Sequence, residues 1–427
     1  MTLISSAMIM KKPPCSLISI ITFLLLVAAG FPLMTYGQNL VEVSGYVKNT
    51  KNKKNIGNVS VTVPGTNIGT VSNADGYFSL KIPKKDVLSG IKVEQIGYQS
   101  EFIPYEEINS GNSEINVYLT PTGKVLKEIL VLGGEPKEIV ELALNKIPEN
   151  YSDRNDLFSG FYRETIQKGK RFISISEAMV NVLKKPYNWR NSSGEKVSIH
   201  KGRTLLSPRL SDTLSVKLMG GPYMPVALDA VKNGDHLFTI DELDNFDFMM
   251  EPGVMIDDRP HYAISFKPKV SLSYPLNYGT LYIDGDNLSI SRVEFNLDMK
   301  DKAKVSRSIL QKKPRGLNFK PLEVSGVVTY KLVDGKSYIN YISSRMRFKC
   351  DWKKRLFSST YTSSAEMVMV DREDNVDKKL KLNDTFGQRG IFSDKVDNYW
   401  DENFWDDYNI IEPTESLEKA IDKLKKN

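Results

Sequence analysis

Between Val43 and Ser100 the chain alternates apolar and polar residues in three short runs, cut by Gly, Asn and Asp turns. The runs are Val43-Ser44-Gly45-Tyr46-Val47, Val59 to Thr66 and Gly69 to Leu80, and Ile96-Gly97-Tyr98 follows them. A period of two over such short segments is the pattern of a small all-β sandwich. Ala74-Asp75-Gly76 supplies a turn in which Gly76 takes positive φ, and Tyr77 begins the next strand. Pro64-Gly65 suits a type II turn, proline presetting φ and glycine taking the left-handed position.

These residues resemble the carboxypeptidase-like regulatory domain, a transthyretin-like β-sandwich. Its V-x-G-x-V start corresponds to Val43, Gly45 and Val47, and its G-A-x-V-x-V strand to Gly57, Val59, Val61 and Val63. Its turn G-T-x-T-D-x-D-G-x-F corresponds to Gly69, Thr70, Asn73, Asp75, Gly76 and Phe78, and its later I-G-Y to Ile96, Gly97 and Tyr98. Asn73 and Asn58 depart from the Asp and Ala usual there. The resemblance implies a fold and an exported, envelope-associated class. It implies no reaction, because in metallocarboxypeptidases the module lies outside the catalytic domain.

The first 37 residues read as a signal peptide. Lys11 and Lys12 form a positive start, Leu17 to Ala29 an apolar run, and Thr35-Tyr36-Gly37 a small-residue cleavage site. Gly30 and Pro32 favour cleavage over a retained anchor, and Cys15 precedes the apolar run, so no lipoprotein signal is expected. Without Lys11 and Lys12 the 58 basic residues become 56 against 52 acids, a net of +4. That balance, with no basic helix, gives no nucleic-acid signature. Cys350 is then the one cysteine left, so no internal disulfide forms and the thiol reads as packed.

Downstream the reading is an extended linker and helix over 123–150 and a β-rich domain over 151–427. Leu126 to Gly133 is similar to the L-x-E-V-V-V segment after the same module in TonB-dependent transporters, which pairs with an energising partner as an added strand. Too few residues follow for a plug and a barrel of roughly 22 strands. Pro136 to Ile147 is expected to be a helix stopped by Pro148. The segments Glu138 to Tyr151 and Phe158 to Glu164 resemble a group of bacteroidete envelope proteins with this module ahead of an uncharacterised β-rich region.

From Phe158 to about Asp371 alternation continues, and Asp334-Gly335 between Val324–Leu332 and Ser337–Phe348 is a two-residue hairpin signal. Gly279 to Phe295 looks like the G-x-L-x-I-D and I-x-R strands of outer-membrane lipoprotein carriers. The expected fold is mainly β. A seven-stranded type of sandwich over 38–122 precedes a large antiparallel curved sheet or open barrel with a few helices. Tyr399, Trp400, Phe404 and Trp405 read as a clasp on one end of that barrel. Thr414 caps a last helix with Leu417, Ala420, Ile421 and Leu424 on one face.

No catalytic, cofactor or metal site is expected. His200, His236 and His261 stand in no zinc frame, and no G-x-S-x-G elbow or phosphate loop is present. The acids Asp235, Asp241, Glu242, Asp244 and Asp247 read as caps and solvated loops, as do Asp394 to Asp407, with calcium at Asp401–Asp407 the sharper alternative.

One feature points to a ligand. Met219, Met224, Phe248, Met249, Met250, Met255 and Tyr274 fall in loop-like or short-strand stretches, where flexible methionines can line an adaptable apolar cavity; core packing is the plainer reading. The expectation is therefore a non-enzymatic binding or interaction protein, periplasmic or associated peripherally with the outer membrane of a Gram-negative bacterium. Its partner would be an envelope protein. The alternatives are a carrier of lipid or another apolar ligand, and a hydrolase with an unrecognised site.

Overall fold

Turn chemistry sets the first part of the chain. The Asn73 side-chain oxygen accepts from Asp75 N (2.9 Å) and Tyr77 N (3.0 Å), and Gly76 completes the turn at φ 80°. The computed structural model describes residues 40–426 apart from 109–113, 123–133, 189–193, 213–215, 219–220, 235–236, 354–357, 377–379, 381–384, 388–389, 391, 393–394 and 401–407. The expected signal peptide, the Leu126–Gly133 strand and the Asp401–Asp407 calcium site lie outside the described residues.

The first seven strands are β1 (Leu40–Asn49), β2 (Ser60–Thr62), β3 (Gly69–Val71), β4 (Tyr77–Pro83), β5 (Ile91–Glu94), β6 (Glu101–Ile103) and β7 (Ile115–Leu119). They make a three-stranded sheet, β4-β1-β7, and a four-stranded sheet, β3-β2-β5-β6. One core joins the two layers, with Val43, Val47 and Leu80 from the first meeting Val61, Ile91 and Val93 from the second. A single helical turn, α1 (Tyr105–Ile108), precedes β7.

Helix α2 (Pro136–Asn145) buries Ile139, Val140, Ala143 and Leu144 on one face, as their spacing requires. It ends earlier than expected. Pro148 does not stop this helix but stands in the first turn of α3 (Ile147–Asn150), where its missing N–H costs nothing.

Ten strands then form one antiparallel sheet: β8 (Asp156–Lys168), β9 (Arg171–Lys184), β10 (Lys196–Leu206), β12 (Phe246–Ile256), β13 (Arg259–Pro268), β14 (Asn277–Asp284), β15 (Ile290–Leu297), β17 (Leu317–Val333), β18 (Lys336–Trp352) and β19 (Ser359–Glu373). Short strands β11 (Lys217–Leu218) and β16 (Leu310–Lys312) pair apart from it. The order is β10-β9-β8-β19-β18-β17-β15-β14-β13-β12, so the sheet stays open at β10 and β12. Asp334 (φ 49°) and Gly335 (φ 79°) make the tight turn between β17 and β18. On the open edge, Pro252-Gly253 interrupts the register of β12 between Glu251 and Val254, a device that discourages edge-to-edge pairing.

Strand alternation gives this sheet two different faces. The inner face carries Tyr162, Val180, Leu281, Val328 and Ile342. It shares a core with α2, with α4 (Tyr223–Ala227) and with the 3₁₀ turn Ile240–Asn245. On the outer face Val71 of the sandwich packs with Phe161, Met179, Tyr341, Val368 and Ile411.

A segment near the C-terminus straps these parts together. Asn409 forms a two-way amide pair with the Lys81 backbone (2.7 and 3.1 Å), Thr70 Oγ1 donates to Ile410 O (2.8 Å), and Asn73 donates to Pro413 O (2.9 Å). Helix α6 (Glu415–Lys425) follows, with Thr414 Oγ1 accepting from Leu417 N, and Leu417 and Ile421 packing on Ile175 and Leu205.

Of the expected aromatic clasp, Tyr399 packs against the core of the large sheet. Trp400 bridges to Gly202 of β10, an edge strand of the sheet. Phe404 and Trp405 lie outside the described residues.

Candidate functional site

Strand register places Glu164, Ala365, Ser344, Gly326 and Phe295 in one row across β8, β19, β18, β17 and β15. The row runs across the inner face, as direct cross-strand partners point the same way. Its middle members are small, so the centre of this face is hollow where the adjoining row, Tyr162, Met367, Ile342 and Val328, is packed core. Leu297, Val324 and Met346 continue the floor. Met224, Leu228, Tyr274, Pro275 and Ile309 form the cover, the last from α5 (Lys302–Ile309). Between floor and cover lies a cavity of about 310 Å³.

The cavity is mainly apolar, with a carboxyl group, that of Glu164, on its floor. Glu164 Oε2 accepts from Tyr162 OH (2.7 Å) and Gly221 N (3.2 Å). Burial pushes this carboxyl above its ordinary range, and those two donors only partly offset it. Arg345 borders the cavity, but its register with Ser364 and Ser325 puts it on the outer face.

The cover is pinned by a buried ionic cluster. Asp229, just beyond α4, accepts from Lys184 Nζ (2.6 Å), Tyr187 OH (2.8 Å) and Tyr330 OH (2.6 Å). Burial alone would raise the Asp229 pKa, but the Lys184 ammonium and the two phenols hold it below the ordinary carboxylate value. Glu195 lies 2.8 Å from Lys184 on its other side.

Next to the cavity, sharing Tyr274 and Pro275 with it, is a smaller recess of about 210 Å³. Lys269, Lys300 and Lys304 border it, with Asp298 and Asp301. Asp301 is engaged as the cap of α5, accepting from Ala303 N and Lys304 N at 3.0 Å each. Lys304 Nζ bonds Ser271 Oγ (3.0 Å) and Leu272 O.

Beside its apolar cluster the outer face carries a buried ionic network. Arg163 donates to Glu177 Oε1 (2.7 Å), Glu366 Oε1 (3.2 Å) and Ile411 O (2.8 Å), and Arg203 Nη2 lies 2.6 Å from Glu177 Oε2. Burial would raise the Glu177 pKa, but its two arginines hold it low. A groove of about 510 Å³ separates Asn58 of the sandwich from this face.

Of the residues expected to line a cavity, Met224 and Tyr274 do so together. Phe248 packs instead on Phe238, ring centroids 5.5 Å apart. Met249, Met250 and Met255 are on edge strand β12. Met249 is 62% exposed, Met250 39%, and the Met255 carbonyl accepts from Gly97 N at 3.3 Å. Met219 lies outside the described residues. Glu164, Asp229 and the small row Ala365-Ser344-Gly326 carried no recognisable motif.

His261 is a tied strand histidine, bonded to Arg259 O (2.9 Å) and Ser291 Oγ (2.8 Å); His200 is exposed, with Tyr408 edge-on at 6.4 Å; His236 is outside the described residues. Among the described residues no three His, Cys, Asp or Glu side chains are grouped to hold a metal. Glu242 closes a capping box with Thr239, and Asp244 lies 2.6 Å from Lys137.

The sequence model of the CarboxypepD_reg-like domain matches residues 43–131, so the sandwich is a domain of that kind. The TonB-dependent receptor SusC of Bacteroides thetaiotaomicron is 33% identical over 110 residues, 26% of this chain. The chain spans about a tenth of that receptor's length, a share of 10%. Among solved structures, a LolA superfamily protein of Nitrosomonas europaea is 14% identical with a TM-score of 0.23, covering 58% of this chain and 99% of that one. A DUF1329 family protein of Desulfovibrio piger is 12% identical with a TM-score of 0.23, covering 58% and 96%.

Proposed function

We propose that this protein is a non-enzymatic binding protein of the bacterial envelope whose ten-stranded sheet holds the apolar part of an amphipathic ligand. The cavity between the inner face and the α4 cover carries this reading. At about 310 Å³ it takes roughly ten methylene-sized groups, each given about a water's share of ~30 Å³. Burying them at ~0.8 kcal/mol apiece yields on the order of 8 kcal/mol before the costs of association. That suits one acyl chain of modest length. Binding is supported by the mainly apolar lining, with Leu228, Leu297, Ile309, Val324 and Met346 among its residues. An envelope location is supported by the apolar N-terminal segment and by the kinship of the sandwich with part of a TonB-dependent receptor.

A second reading, an interaction protein that docks through its sandwich, is favoured by Phe102. It is 53% exposed on β6, the edge strand of the four-stranded sheet. Native mass spectrometry of the mature protein from its own envelope, with organic extraction, separates the two. A stoichiometric lipid-sized adduct supports the cavity reading. A bare mass, or a protein adduct, contradicts it.

A further inference from the structure

Resting on the cavity reading, we infer that the ligand is a single-chain amphiphile with an anionic headgroup, a phosphate or carboxylate. Its tail lies in the apolar cavity and its head in the lysine-bordered recess beside Tyr274. Tyr274 and Pro275 belong to both spaces, so tail and head sites are contiguous. Tyr274 is 46% exposed, which marks this as the open end; its hydroxyl donates to Glu242 Oε1 (3.2 Å).

Charge sets the orientation. Among the described residues the inner-face floor carries Glu164 and no cation, so an anionic headgroup entering first would be buried without a counter-charge. At the open end Lys269, Lys300 and Lys304 border the recess with Asp298 and Asp301, while Asp301 already serves the α5 amides and Glu242 already accepts from Tyr274. The nearest carboxylates lie 3.9 Å from Lys269 (Asp247) and 3.7 Å from Lys300 (Asp298), beyond hydrogen-bond distance. These are long, solvent-exposed ion pairs of little strength, which a ligand oxygen can displace.

The test compares decyl phosphate, decanoate, decyl glucoside and decyltrimethylammonium by titration calorimetry on the full chain, below their micellar concentrations. The two anions are expected to bind at least tenfold more tightly than the cation. The exposed double variant Lys269→Glu/Lys300→Glu weakens the anions at least fivefold and leaves the glucoside unchanged. Equal binding of all four, or tighter binding of the cation, overturns the headgroup assignment and leaves the cavity reading standing. Binding of none overturns both. Inorganic phosphate binding as tightly as decyl phosphate also overturns the inference, since the chain would then contribute nothing.

Discussion

The ring of Phe295 on β15 lies against Gly326 on β17 so closely that a β-carbon at 326 would stand 2.4 Å from its Cζ. The absent side chain at 326 is what allows Phe295 to lie across the row and form part of the cavity floor. Gly326→Ala must therefore displace the ring. The expected cost is about 1–3 kcal/mol, typical of overpacking, read from the denaturant midpoint, together with weaker binding of a decyl probe. An unchanged midpoint and unchanged binding would show that the ring relaxes freely.

Asp229 anchors the cover, and its replacement tests that role. Asp229→Asn leaves Lys184 with Glu195 alone and two phenols without their charged acceptor, a loss of about 3–5 kcal/mol at pH 7. The folded pKa of Asp229 lies below its unfolded value of ~3.9. The stability it contributes is therefore full above that value and lost as pH falls through the folded pKa. Urea melts should show a wide gap between the two proteins at pH 7 that narrows below about pH 4. A gap independent of pH would mean that the charge is not what stabilises the cover.

Glu94 behaves in the opposite sense. It lies where the sandwich meets the large sheet, its Oε2 is buried without a hydrogen-bond partner, and Asp257 is close by. Burial first, and then the Asp257 charge, push its pKa up to about 8. A carboxyl raised in the folded state contributes stability that is full below its unfolded value of ~4.3 and lost as pH rises through about 8. Glu94→Gln should therefore gain on the parent protein between pH 5 and pH 9. Parallel melting curves at the two pH values would contradict this.

Cys350 packs with Phe319, Phe348 and Tyr361, and burial raises its thiol to about 11. A form of the protein without residues 1–37 should leave a chromogenic disulfide reagent nearly unreacted at pH 7.5, then release one equivalent in denaturant. Rapid native labelling would show that the cluster opens.

Local chemistry made much of the fold legible. Asp75-Gly76, Asp334-Gly335 and the alternation around Val43-Gly45-Val47 each state a turn or a face within a few residues. The site was not legible for the same physical reason. Glu164, Ala365, Ser344, Gly326 and Phe295 meet through strand register alone, across five strands and a span from residue 164 to 365. Methionine content was a partial guide: Met224 borders the cavity as expected, Met249 and Met250 sit on an exposed edge strand, and Met346, which no pattern singled out, is on the floor. The strap at Asn409–Pro413 likewise bears no motif; its amide pair with Lys81 is made 328 residues away.

The most direct test of an acyl-binding cavity is a chain-length series. Alkyl phosphates from six to sixteen carbons would be titrated into the protein at fixed pH and salt, below their micellar concentrations. The account predicts affinity rising about fourfold per methylene, at ~0.8 kcal/mol each, up to roughly ten carbons and then levelling off as the space fills. Affinity indifferent to length, or rising steadily to sixteen carbons, would contradict a bounded cavity on the inner face.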